Sequence, residues 1–184
     1  MNEFKANVYG ANGVTIIKTL ESTEADLNFG TVRKLMKLIK IDNADNSLDI
    51  AKTIGESQEE IKALLGNIFP EATVRDRNNI KVEELFSVFI QIVKYAVEKA
   101  LSIPTESKGD GKSVPFSQLL FQINYALCKE YTALTPFEVD EKPYFKVIEL
   151  FSETREYQIT IAEENKSKDA QTRKIRRPAG DDWF

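Results

Sequence analysis

The sequence predicts a mainly α-helical protein: a helical N-terminal module with a small β-hairpin, a flexible linker, a helical C-terminal module and a disordered tail. Three observations lead there. Apolar residues recur at the three-and-four spacing of helices along most of the chain, and alternate with period two only near its start. A stretch rich in proline, glycine and small polar residues breaks the pattern between 102 and 115. Beyond Lys166 the apolar content falls away. The resulting plan is a module over 1–101, a linker over 102–115, a second module over 116–165 and a tail over 166–184.

The first element is β. Phe4, Ala6 and Val8 alternate with polar neighbours, Gly10-Ala11-Asn12-Gly13 supplies turn chemistry, and Val14 to Leu20 is short and β-branched. A two-stranded ribbon is marginal alone, so it must pack on something or pair with another copy. Asn28-Phe29-Gly30-Thr31 opens the first helix. Its Val32, Leu35, Met36 and Ile39 share a face, with Arg33, Lys34, Lys37 and Lys40 mostly opposite, and it should end near Asp42-Asn43. Leu48, Ile50, Ala51 and Ile54 suggest a short helix stopping at Gly55. Ser57-Gln58-Glu59-Glu60 has the form of a capping box. Ile61, Leu64, Leu65 and Ile68 give the helix that follows its stripe, and Pro70 terminates it. Val74 to Ile80 is polar and reads as irregular.

The strongest helix comes next. Val82, Leu85, Phe86, Phe89, Ile90, Val93 and Val97 follow the helical period, and Val88, Ile92 and Tyr95 widen the stripe. A helix this apolar packs on two sides, inside a bundle or against another subunit. After the linker, Phe116, Leu119, Leu120, Ile123, Leu127 and Tyr131 form a new amphipathic helix. Thr135-Pro136-Phe137-Glu138 is a second capping box with proline at the first helical position. Pro143 starts a further helix with the stripe Tyr144, Val147, Ile148 and Phe151.

Composition narrows the chemistry. The chain has 184 residues, 42% of them apolar, and a net charge of −4, which gives no reason to expect a nucleic-acid partner. It has no histidine, the commonest general base and transition-metal ligand. The single cysteine, Cys128, lies in an apolar helical pattern and reads as an inert thiol. No uncharged apolar run reaches the roughly 18 residues of a membrane span, and no signal peptide is read at Met1 to Lys5, so a soluble intracellular protein is expected. Gly109-Asp110-Gly111-Lys112-Ser113 resembles a phosphate loop, but Glu106 stands where the first glycine is required and no strand precedes it. The acidic pairs Glu59-Glu60, Glu83-Glu84 and Glu163-Glu164 read as solvated helix faces. Asp42, Asp45 and Asp49 lack the glycine and closing glutamate of a calcium loop. No cofactor, metal or enzymatic activity is expected.

Two sets of residues are candidates for partner binding. Val32, Leu35, Met36 and Ile39, with Val88, Ile92 and Tyr95, exceed what one core stripe per helix needs; they would serve self-association or an apolar helical partner. The alternative is a thicker core within one chain. In the tail, Arg173, Lys174, Arg176 and Arg177 are followed by Asp181-Asp182 and the potential anchors Trp183 and Phe184. The alternative there is a solubilising tail.

The order of elements resembles a known family. Residues 27–101 are similar to the short tail assembly chaperone of siphophages infecting Gram-positive bacteria. The resemblance is carried by Phe29-Gly30-Thr31-Val32-Arg33-Lys34-Leu35-Met36-Lys37-Leu38, by Glu60-Ile61-Lys62-Ala63-Leu64-Leu65 with Phe69-Pro70, and by Lys81-Val82-Glu83-Glu84-Leu85-Phe86. Residues 116–184 look like the extension that such phages add by programmed ribosomal frameshift, as in the lambda chaperone pair. The resemblance implies a non-enzymatic chaperone of virion morphogenesis, acting in the host cytoplasm and absent from the mature virion. It implies that the first module binds the tape measure protein and associates with itself or the short form. It implies that the second module recruits the major tail tube protein, with Arg173, Arg176, Arg177, Trp183 and Phe184 helping. A helical regulatory or scaffold adaptor without catalytic activity is the other reading.

Overall fold

The computed structural model describes residues 2–40, 47–104 and 114–175, with side chains outside 47–51 and 166–175. The protein is mainly helical, with one two-stranded antiparallel sheet at its N-terminal end. Strand β1 (Glu3–Tyr9) pairs with β2 (Ile16–Thr23) in a register that sets Phe4 against Ser22 and Ala6 against Leu20, with an irregularity between Val8 and Tyr9. The turn is built as its composition demands. Gly13 sits at φ 66°, and the Asn12 side-chain oxygen Oδ1 accepts from the amides of Val14 and Thr15 at 3.1 Å each. Phe4, Ala6, Val8 and Leu20 form the buried face of the ribbon, which lies on helix α5 (Val82–Leu101).

Helix α1 (Phe29–Leu38) is shorter than expected, because Lys40 turns into the left-handed region at φ 50° and stops it; Asp42 and Asn43 lie outside the described residues. Helix α2 (Ser47–Glu56) runs through Gly55 instead of stopping there. Only Ser57 separates it from α3 (Gln58–Ile68), whose expected capping box does not form. Ser57 has ψ 31° rather than the extended backbone of an N-cap, and its side chain makes no capping bond. Residues 74–80 are not wholly irregular. Thr73 caps a short helix α4 (Val74–Asn78) in a box with Asp76, a carboxylate too short to match the usual glutamate pattern.

The C-terminal helices are α6 (Phe116–Glu130), α7 (Pro136–Glu141) and α8 (Tyr144–Ile175). Here the two-module plan needs correction. Helix α1 packs against α6, α7 and α8 as well as α3 and α5, and α5 also touches α8. Leu120, Ile123, Leu127, Val139, Tyr144, Val147 and Ile148 join the same buried cluster as the residues of α1 and α5. The composition break at 102–115 therefore marks a connection, not a boundary between two cores. The physical reason lies in α1 and α5. Both bury a broad face, that of α5 extending around more than half its circumference, and the C-terminal helices cover what the N-terminal ones leave open.

Polar contacts fix that junction. The Phe29 amide donates to the Lys142 carbonyl at 2.9 Å and the Tyr144 amide to the Leu27 carbonyl at 2.8 Å. Asp140 pairs with Arg33 and accepts from the Asn124 amide at 3.2 Å. Tyr144, wholly buried, stacks on Phe29, meets Tyr95 edge-on and donates its hydroxyl hydrogen to the Ala96 carbonyl at 2.8 Å. Burial of this phenol, and Tyr95 beside it, push its ionisation well above the ordinary range. Gly30 belongs to the junction for a steric reason: a Cβ there would stand 2.8 Å from the Asp140 Cβ.

The tail also departs from expectation. Helix α8 continues to Ile175, past the predicted end at 165. Eight of residues 163–175 are glutamate, lysine, alanine, glutamine or arginine and none is glycine or proline, and such residues sustain a helix without a buried stripe.

Candidate partner-binding surfaces

The residues expected to present a binding face lie inside the protein. Val32, Leu35, Met36, Val88 and Ile92 have no exposure, and Ile39 and Tyr95 almost none. They are core, so the alternative of a thicker core within one chain is the arrangement the structure has. Of the tail candidates, Arg173 falls on the last turns of α8, while Arg176, Arg177, Trp183 and Phe184 lie outside the described residues, as does the Gly109 to Ser113 segment.

The surface exposes other apolar side chains in two regions, neither read from the sequence. At the hairpin end, Val14, Ile16 and Ile17 are 77%, 51% and 58% exposed, and Val74 on α4 is 65% exposed. Ile17 and Val74 line an open cleft of about 560 Å³ with Gly10, Ala11, Arg75, Asn78 and Asn79. The outer edge of β2 has no strand partner among the described residues, whereas β1 is partly covered, with Tyr9 donating to the Asn79 carbonyl at 2.9 Å. An open edge beside β-branched side chains is a ready template for pairing. The signal was present in the sequence: Val14, Ile16 and Ile17 cannot all face inward in a strand of period two.

The C-terminal helices also expose aromatics. Phe121 and Tyr125, one turn apart on α6, are 60% and 64% exposed; Phe137 on α7 is 80% exposed and Tyr157 on α8 64%. They stand off the stripe of Leu120, Ile123 and Leu127 that α6 buries. Aromatic side chains are enriched at protein interfaces relative to the rest of the surface.

Two side chains with chemical potential are engaged in the fold. Glu84 was expected on a solvated face, yet it is part-buried and accepts from the Tyr9 hydroxyl at 2.9 Å and from the Asn7 side chain at 3.1 Å and amide at 3.3 Å. Burial pushes this carboxyl up, but the hydrogen bonds from Asn7 and Tyr9 outweigh it and hold it below the usual range. These three bonds fasten the first turn of α5 to β1. Cys128 is half-buried, and burial followed by the charges of Glu138 and Asp140 pushes its thiol up, away from the reactive thiolate. Among the described residues no three acids, cysteines or histidines converge on a metal position, and no helix is long and apolar enough to cross a membrane. The class these features define is a helical domain fronted by a hairpin, with apolar side chains left exposed at the hairpin end and on the C-terminal helices. No protein-family model, curated protein or solved structure matches this chain.

Proposed function

We propose that the chain is a tail assembly chaperone of a long-tailed bacteriophage, holding the tape measure protein and bringing the major tail tube protein to it. The observation that supports this is the presence of exposed apolar side chains in two regions of one shared core, the hairpin end and the C-terminal helices. A tape measure is an apolar helical rod that aggregates when uncovered, and the hairpin patch of Val14, Ile16, Ile17 and Val74 suits such a client. The exposed aromatics Phe121, Tyr125, Phe137 and Tyr157 suit the tube protein. Both clients on one body raise each other's effective concentration at the growing tube. In this reading the protein performs no covalent chemistry, works in the host cytoplasm and leaves before the virion is complete.

The test is co-expression with the tape measure and tube proteins, followed by affinity capture. Ile16→Asp with Ile17→Asp should abolish capture of the tape measure and spare the tube protein. Phe121→Asp with Tyr125→Asp should do the reverse. Capture of neither client by the unaltered chain would turn the reading to an adaptor for some other helical partner.

A further inference from the structure

Between the C-terminal helices lies an apolar groove that neither client-binding patch includes. Its floor is Leu127, Val139 and Val147, and Leu134 and Leu150 form its walls. The cavity measures about 190 Å³. An apolar cavity of about 150 Å³ accepts a benzene ring, so one aromatic side chain fits. Two lysines, Lys142 and Lys146, stand at the rim, both exposed. Neither has a carboxylate within salt-bridge distance among the described residues. The nearby Glu138 carboxylate feels Lys142 but is already held by the amide and hydroxyl of Thr135 at 2.8 Å each. The groove therefore calls for an aromatic anchor accompanied by negative charge.

The chain's own sequence contains such a segment. Asp181-Asp182 immediately precede Trp183-Phe184. Reach decides between copies. Helix α8 carries the chain away from the groove, and Ile175 stands about 37 Å along the axis from Leu150 at 1.5 Å per residue. The eight residues from Ile175 to Trp183 span at most about 28 Å when fully extended. A tail anchored at Ile175 cannot return to its own groove while α8 stays helical.

We infer that the segment Asp181 to Phe184 of one copy docks in the groove between α6, α7 and α8 of a second copy, with the aromatic ring in the cavity and the two aspartates on Lys142 and Lys146. Groove and tail are different surfaces, so the contact is head-to-tail and can propagate from copy to copy. It is independent of which clients the protein carries.

Trp183 is the only tryptophan in the chain, so its emission reports the docking directly. In the full chain the emission maximum should shift to the blue as concentration rises, in step with association seen by sedimentation. Lys142→Glu with Lys146→Glu should weaken association by about tenfold or more, since two exposed ion pairs become repulsions. Asp181→Lys with Asp182→Lys should do the same, and an equimolar mixture of the two charge-reversed proteins should recover the association that each has lost. The far-ultraviolet spectra of both should match the parent. A blue emission that does not depend on concentration would show docking within one copy and overturn the proposal. A red emission at every concentration would overturn it too, leaving the tail free for the tube protein. Association that survives both reversals would place the contact elsewhere and likewise overturn it.

Discussion

Helices α5 and α8 are the two longest in the protein, and they are buried in opposite ways. From Leu85 to Ala100 every turn of α5 sends a side chain into the core, because the hairpin lies on one side of it and α2 and α8 on others. Helix α8 buries Tyr144, Val147 and Ile148 in its opening turns, then Thr154, and nothing described beyond that residue. Its first third closes the core and the rest projects. Length and helical propensity are thus separate from burial: α5 is held by packing, the far end of α8 by local propensity. A long helix with a short buried end is anchored like a post, which suits a segment that carries its far end to another molecule.

The comparison yields graded expectations. The largest concern the places where the two helices meet the shared core. Phe89→Ala and Tyr144→Ala should each cost about 3–5 kcal/mol in a denaturant melt, the usual cost of emptying a buried aromatic site. Both should leave a single transition. Two separated transitions in Tyr144→Ala would show that the C-terminal helices unfold as their own unit, and would restore the two-module plan.

Gly30→Ala should come next, at about 1–3 kcal/mol, because its added methyl group must displace Asp140 and disturb the Arg33 pair. A neutral effect would mean that the junction between α1 and α7 is looser than the core on either side. Thr135→Ala removes the α7 cap that orients the groove wall and should cost about 1 kcal/mol.

Acid should also act on both halves. The carboxyls of Glu84, Asp76 and Glu138 are all held below the ordinary range. For Glu84 the bonds from Asn7 and Tyr9 outweigh burial; for Asp76 the backbone amide of Thr73 leads, and for Glu138 that of Thr135. Lowered folded values mean that the stabilisation is complete above the unfolded value of about 4.3 for glutamate and is lost as pH falls through the folded values. The melting temperature should be level from neutral pH to about pH 5 and fall below about pH 4. Glu84→Gln should make that fall shallower. An identical acid limb in the variant would remove Glu84 from the account.

The smallest effect belongs to the projecting end. Tyr157→Ala should change stability by no more than about 0.5 kcal/mol, the range of exposed substitutions, while weakening capture of the tube protein. A loss of several times that amount would show that this face of α8 is covered.

Much of this was legible in advance. The hairpin, the opening of α1, the ends of α3 at Pro70 and of α6 near Tyr131, and the Thr135 box all follow from local rules that involve neighbours within a few residues. The misreadings were non-local or conformational. Ser57 carries the right residues for a cap but sits at the wrong ψ, because α2 runs almost directly into α3. The Thr73 box escapes the usual threonine-to-glutamate pattern because its partner is aspartate. Val32, Leu35, Met36, Val88 and Ile92 were legible as surplus apolar surface, but what covers them was not.

By itself, then, the sequence determined that the protein is helical, where most helices begin and end, and that α1 and α5 need covering on more than one side. Those properties rest on backbone propensity, turn chemistry and side-chain period, which act over one or two turns. Only the tertiary structure decided that α6, α7 and the start of α8 supply the cover, which left the hairpin end, the aromatic faces of α6 to α8 and a lysine-rimmed groove as the surface available to partners. The hydrophobic effect has no direction: it requires that an apolar stripe be buried without specifying against what. That choice was made by shape and by a few buried or part-buried polar contacts, among them Tyr144 on Ala96 and Asp140 on Arg33 and Asn124, whose partners lie 16 to 107 residues away along the chain.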